Sequence, residues 1–302
     1  MPDSRRSPGR YLTATSLVLA LAACAGAPDA TSEDVAALGI DLTVDLDPAS
    51  GAVVLPFDRL VPDFYENDIL ATGASAAVAL CAAGSGVTFD PPPLSDDPVY
   101  ASEHYFGPWT ADQAARFAFV PPMSLRDMAA NEIAGAPEPA GATEVAPGAG
   151  ADDELTDDDW AVIDACNADD DVAALLDATI VTGPWTDAVE AVRDGLPDED
   201  GARALIDELA RCYAAEGLEP ADDAPWLPEG TNGREITQAQ IELAVSVVRC
   251  KDSVDFTRRM ADIEAGLQAP IIRRYAHELA EQRGSVDEAL DLAATLLSEA
   301  SR

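Results

Sequence analysis

Chemistry needs particular side chains at particular spacings, and this chain is rich in only one kind. Its 302 residues hold 56 Asp and Glu, 18 Lys and Arg, five cysteines and two histidines, His104 and His277. Paired carboxylates can cleave glycosides, but only across a sugar cleft at a defined separation. With so many carboxylates, close pairs arise by chance. Gly73-Ala74-Ser75-Ala76-Ala77 lacks the closing glycine of a Gly-x-Ser-x-Gly nucleophile elbow, and Gly84-Ser85-Gly86 reads as a short turn. A calcium loop with Gly201 in its sixth place would start at Leu196 and end at Asp207, where Asp and Glu are required. The acidic runs at 157–159 and 169–171 suit helix starts instead. Tryptophans can stack on sugars, but Trp160 and Trp185 are read as core anchors beside helices. No catalytic residue, cofactor or metal site is assigned.

The sharpest chemical signal is Cys24. Arg5, Arg6 and Arg10 precede an apolar run from Leu17 to Ala23, and small residues lead into the cysteine. That order reads as an export signal covering residues 1–23. Leu21-Ala22-Ala23-Cys24 resembles the lipobox of bacterial lipoproteins. The resemblance implies cleavage before Cys24 and thioether-linked diacylglycerol on its sulfur. Each buried methylene contributes about 0.8 kcal/mol, so one acyl chain holds marginally and two hold firmly. The alternative is a plain secretory signal with a coincidental cysteine. The apolar run is too short for a lasting span.

Without residues 1–23, 15 basic and 55 acidic side chains remain, a net charge near −40. That excludes a nucleic-acid partner, which needs basic contacts, and disfavours a broad electrostatic grip on anionic lipid. The lipid bilayer is instead a partner through Cys24. Exported chains live where disulfides persist. Cys81, Cys166, Cys212 and Cys250 allow three pairings. The preferred one is Cys81–Cys166 with Cys212–Cys250, each stapling one region. Free or metal-bound thiols are the alternative, but no close CxxC pair supports zinc.

The elements that must position these groups are mainly helical. Residues 24–38 are small and polar and read as a lipidated tether. An N-terminal α+β region follows over 39–133. Leu42, Val44 and Leu46 alternate as one strand, Pro48-Ala49-Ser50-Gly51 turns, and Val53–Phe57 returns. Helices are expected over 66–83 and over 111–118, the second capped by Thr110. Residues 134–158, rich in Ala, Gly and Pro and then in Asp, read as a flexible acidic linker whose end opens the next helix. The C-terminal helical region is 159–302. Trp160, Ile163 and Cys166 share one helix face, and 200–215 forms another helix. Thr237 and Gln240 make a capping box for a helix running towards Lys251. Phe256, Met260, Ile263, Leu267, Ile271, Tyr275 and Leu279 form an apolar stripe that Pro270 should kink or divide. Gly284 is expected to end that helix. Ser285 and Glu288 would then cap a last one, giving a C-terminal helical hairpin. The fold class is a disulfide-stapled, mainly α ectodomain with a small N-terminal β-hairpin. The regions form one compact unit or two lobes.

Residues 251–302 hold seven basic and ten acidic side chains, so they are nearly balanced. Arg258-Arg259 and Arg273-Arg274 are the only close basic pairs after Cys24. They either pair along the helix with Asp255, Asp262 and Glu278 or form a docking surface for an acidic envelope protein or polymer. Val54–Arg59, Cys81–Gly84, Tyr105–Trp109, Ala114–Phe119, Cys212–Gly217 and Cys250-Lys251 resemble segments of a group of actinobacterial exported lipoproteins. That resemblance spans about residues 50–300 and implies an outward-facing, membrane-tethered domain; it supplies no active residues. The expectation is a lipid-anchored protein on the extracytoplasmic face of the cell membrane, with a non-enzymatic structural or interaction role. The alternatives are a small-ligand or divalent-cation binder and an envelope hydrolase.

Overall fold

The computed structural model describes residues 31–88, 105–121, 123, 125–136 and 155–301. The expected export signal, Cys24, His104 and most of the expected linker lie outside them.

The last part of the expected tether is helical over residues 32–37. Thr31 and Asp34 form a reciprocal capping box that starts helix α1, Ser32–Ala37. Val35, within that stretch, and Ile40, just after it, are buried. The hairpin forms over a shorter span than expected. Strand β1, Asp45–Asp47, pairs antiparallel with β2, Ala52–Val54, placing Leu46 opposite Val53. The Asp47 carboxylate accepts from Ala49 N and Ser50 Oγ and so closes the turn. Pro56 cannot donate to a ladder, and a 3-10 turn at Asp58–Leu60 follows.

Helix α2, Phe64–Gly84, opens on a capping box of Asp63 and Glu66. Its length and apolarity would suit a membrane span, yet it is the central core helix. Leu70, Ala74, Val78 and Ala82 are buried with Ile163, Cys166, Val172, Leu175, Ala289 and Ala293. Helix α3, Ala111–Phe117, is capped by Thr110, and α4 is Leu125–Ala130. Thr156 caps α5, Asp157–Cys166, with Asp157, Asp158 and Asp159 in its first turn as expected. Ile163 and Cys166 are buried, but Trp160 is 41% exposed and is not a core anchor. Ten residues are under three turns, and only the end of α5 reaches the core. Trp185 is buried. Helices α6, Asp170–Ala178, and α7, Thr186–Gly195, lead to a 3-10 turn at Leu196–Asp198 and then α8, Asp200–Ala215.

Helix α9 is Gln238–Ser253. Thr237 caps it, but the box is not reciprocal. The Gln240 amide turns to Asn232 N and Gly230 O, fastening the preceding loop. Helix α10, Phe256–Arg274, runs through Pro270, and α11 is Ala276–Ala300. The division therefore falls at Tyr275, just beyond the proline. Gly284 lies inside α11, and Ser285 donates to Glu281 O instead of capping. The hairpin joined at Gly284 is not formed.

Three clusters make the core. One gathers α2, α5, α6 and α11. A second gathers α3, α8, α9 and α10. A third joins α1 to Leu60, Trp185 and the α10–α11 junction. Both expected disulfides are present. Cys212–Cys250 ties α8 to α9, but Cys81–Cys166 ties α2 to α5 and so crosses between the N-terminal and C-terminal regions. Those regions interleave: α2 packs with α11, and α3 with α9.

Candidate functional site

The most unusual polar chemistry lies under residues 105–107. Phe106 and Gly107 both take left-handed backbone angles, φ 57° and 89°. The positive φ favours glycine at 107, and a Cβ there would also stand 2.6 Å from Leu227 Cδ2, the tip of a side chain that would have to turn aside. The turn drives the Phe106 ring edge-on to Trp226 and Phe256, at 5.1 and 6.0 Å between centroids. It also aims the Phe106 carbonyl at Lys251, whose ammonium group donates to it.

Lys251 sits in the last turn of α9 and is 1% exposed. Its Nζ lies 5.5 Å from the Phe256 ring centre. Among the described residues no carboxylate is within ion-pair distance of it. Burial disfavours the charged amine and pushes it down to about 7.

Beside it, Tyr105 donates to Glu264 Oε2 at 2.8 Å. Gln268 Nε2 donates to Glu264 Oε1 at 3.3 Å, and Gln268 Oε1 accepts from Phe57 N at 3.1 Å. Glu264 and Gln268 are buried on the inner face of α10. Burial raises the Glu264 carboxyl, while the bond from Tyr105 and the charge of Arg193 oppose that rise. Burial, with the carboxylate beside it, raises the Tyr105 phenol too.

A depressed amine, a phenol and a raised carboxyl are the parts of an acid–base site. Here each is already bonded within the chain, with Lys251 and Glu264 buried and Tyr105 half-buried. Together they act as a clasp that fixes residues 105–110 across α9 and α10. Trp109 Nε1 and Gln113 Nε2 extend it by donating to Gly51 O at the hairpin tip, at 2.6 and 3.3 Å. Apolar spacing alone does not reveal Glu264 and Gln268. The usable signal is the spacing of four through Phe256, Met260, Glu264, Gln268, Ile272 and Ala276, which is the row the fold buries.

The residues singled out from the sequence separate. Arg258 Nη1 donates to Val44 O at 3.0 Å, holding the base of the hairpin. Arg259 bridges Glu208 of α8 at 2.7 Å instead of pairing with Asp255 along its own helix. Arg274 stacks on the Tyr275 ring at 5.3 Å, and Arg273 is half-buried beside it. The four arginines therefore do not form one patch. Asp169 caps α6, and Asp200 pairs with Arg203, as helix-start residues do. Among the described residues no group of three His, Cys, Asp or Glu could hold a metal ion.

No protein-family model, curated protein or solved structure matches this chain.

Proposed function

We propose that this protein is an extracytoplasmic lipoprotein, held to the cell membrane through lipidated Cys24, with a non-enzymatic structural or interaction role in the cell envelope. The observation that carries the reading is the pair of disulfides, each closed inside a separate helical cluster. Such bonds persist in oxidising compartments, and the export signal before Cys24 supplies a route to one. The clasp supports the non-enzymatic part, because buried Lys251 and Glu264 and half-buried Tyr105 bond the chain's own groups. The resemblance to actinobacterial exported lipoproteins agrees with the anchored, outward-facing part.

The test is Cys24→Ser followed by membrane fractionation. A mature-sized chain should leave the membrane fraction, or the precursor should accumulate uncleaved. A mature-sized chain that stays membrane-bound without the cysteine would overturn the anchor.

A further inference from the structure

We infer that the end of the domain carrying α1 lies on the phospholipid surface, with Phe64, Tyr65 and Ile180 seated among the headgroups. The inference rests on the anchoring reading above and adds a second, non-covalent contact with the same bilayer.

The tether sets which end can reach lipid. Seven residues, counting Cys24 itself, precede Thr31, the residue that caps α1. At most about 3.6 Å each, they span about 25 Å. A compact domain of this size is roughly 45–50 Å across. The α1 end can therefore touch the membrane, and the far end cannot while the α1 end faces it.

That end exposes the wrong side chains for water. Val35 and Ile40 of the α1 region pack with Leu60, Trp185, Ala276 and Leu279. Phe64 and Tyr65 follow Leu60 by four and five residues and are 50% and 49% exposed. Glu66, next in the chain, accepts from Arg283 of α11 at 2.8 Å, which fixes the beginning of α2 about one turn along α11 from Leu279 and Ala280 of this cluster. Ile180 is 67% exposed and adjoins Val181, which packs against the same cluster. Three of the five large apolar side chains exposed among the described residues thus lie within a few residues of members of the cluster that holds α1. Aromatic rings with one wet edge suit the headgroup layer. Arg273 and Arg274 close α10 at the same cluster, the former without an ion pair among the described residues, and both suit lipid phosphate. A contact this small adds little affinity to an acyl anchor; what it sets is orientation.

The test uses the full lipoprotein, purified with its native amino terminus and reconstituted into vesicles of phosphatidylethanolamine and phosphatidylglycerol. Amide exchange is compared with that of Phe64→Ser/Ile180→Ser in the same vesicles, and with wild type cut free at the tether. Wild type on vesicles should exchange at least about threefold more slowly at 60–66 and 180–186 than either comparison, with α8 and α9 unchanged. Equal exchange in all three, with both intact proteins floating with the vesicles, would overturn the orientation and leave the anchor standing. Protection that follows protein concentration without vesicles would mean a second copy covers the face, and would also overturn it. Failure of wild type to float would defeat the anchor reading itself.

Discussion

Tyr105 and Glu264, 159 residues apart in the chain, share a 2.8 Å hydrogen bond beneath the surface. The bond joins the segment leading into α3 to the inner face of α10. Removing it with Tyr105→Phe strands one oxygen of a buried carboxyl. Loss of a partner from a buried polar group costs roughly 1–3 kcal/mol. Glu264 is raised in the folded chain, so its contribution is complete below the ordinary value of 4.5 and is lost as pH rises through the folded value. The phenol favours the ionised form. The variant's deficit in urea unfolding should therefore be larger near pH 8 than near pH 5.

Lys251 gives the opposite slope. Its folded amine titrates at about 7, below the ordinary 10.5. Between those values the unfolded chain holds a proton that the folded chain does not, so stability rises with pH through that window. Below about 7 both states are charged and the burial cost is complete. Wild type should gain stability between about pH 7 and 9. Lys251→Met should remove that part of the slope, read from urea midpoints at each pH.

Each disulfide closes a long loop, 85 residues for Cys81–Cys166 and 38 for Cys212–Cys250. Chain-entropy arguments give about 4–5 kcal/mol for loops of these lengths. Replacing both cysteines of a pair with serine should lower stability by that order. The local readouts differ. Loss of Cys81–Cys166 should speed amide exchange in α5 and α6, and loss of Cys212–Cys250 should speed it in α8 and α9.

Gly73 allows α2 and α11 to meet closely. A Cβ there would stand 2.6 Å from Ala293 Cβ and 2.9 Å from its Cα. Backbone cannot yield as a flexible side-chain tip can, so Gly73→Ala should destabilise by about 1–3 kcal/mol. A lowered thermal midpoint with unchanged helical circular dichroism would match this; an unchanged midpoint would not.

Much of the architecture was legible because local signals agreed with tertiary ones. Thr110 caps α3, and the boundaries of α8 follow its own pattern. The cysteines pair as preferred, although Cys81–Cys166 joins two regions. The long apolar stripe misled between Met260 and Leu279, which are both buried. Ile263, Leu267 and Ile271 lie at its margin, while Glu264 and Gln268 are buried. Hydropathy assigns those two polar residues to solvent, and only partners distant in sequence, Tyr105 and Phe57, make their burial tolerable. Gly284 misled for a related reason. A glycine inside a helix costs about 1 kcal/mol, and the packing of α11 along α2 outweighs it. Lys251 carried no sequence signal, since its partner is a backbone carbonyl presented by a left-handed residue.

The central claim is covalent and is tested most directly by mass spectrometry of the native protein's amino-terminal peptide. The account predicts a peptide beginning at Cys24 whose mass includes a thioether-linked diacylglycerol. A peptide that retains residues 1–23, or begins at Cys24 with an unmodified thiol, would contradict it.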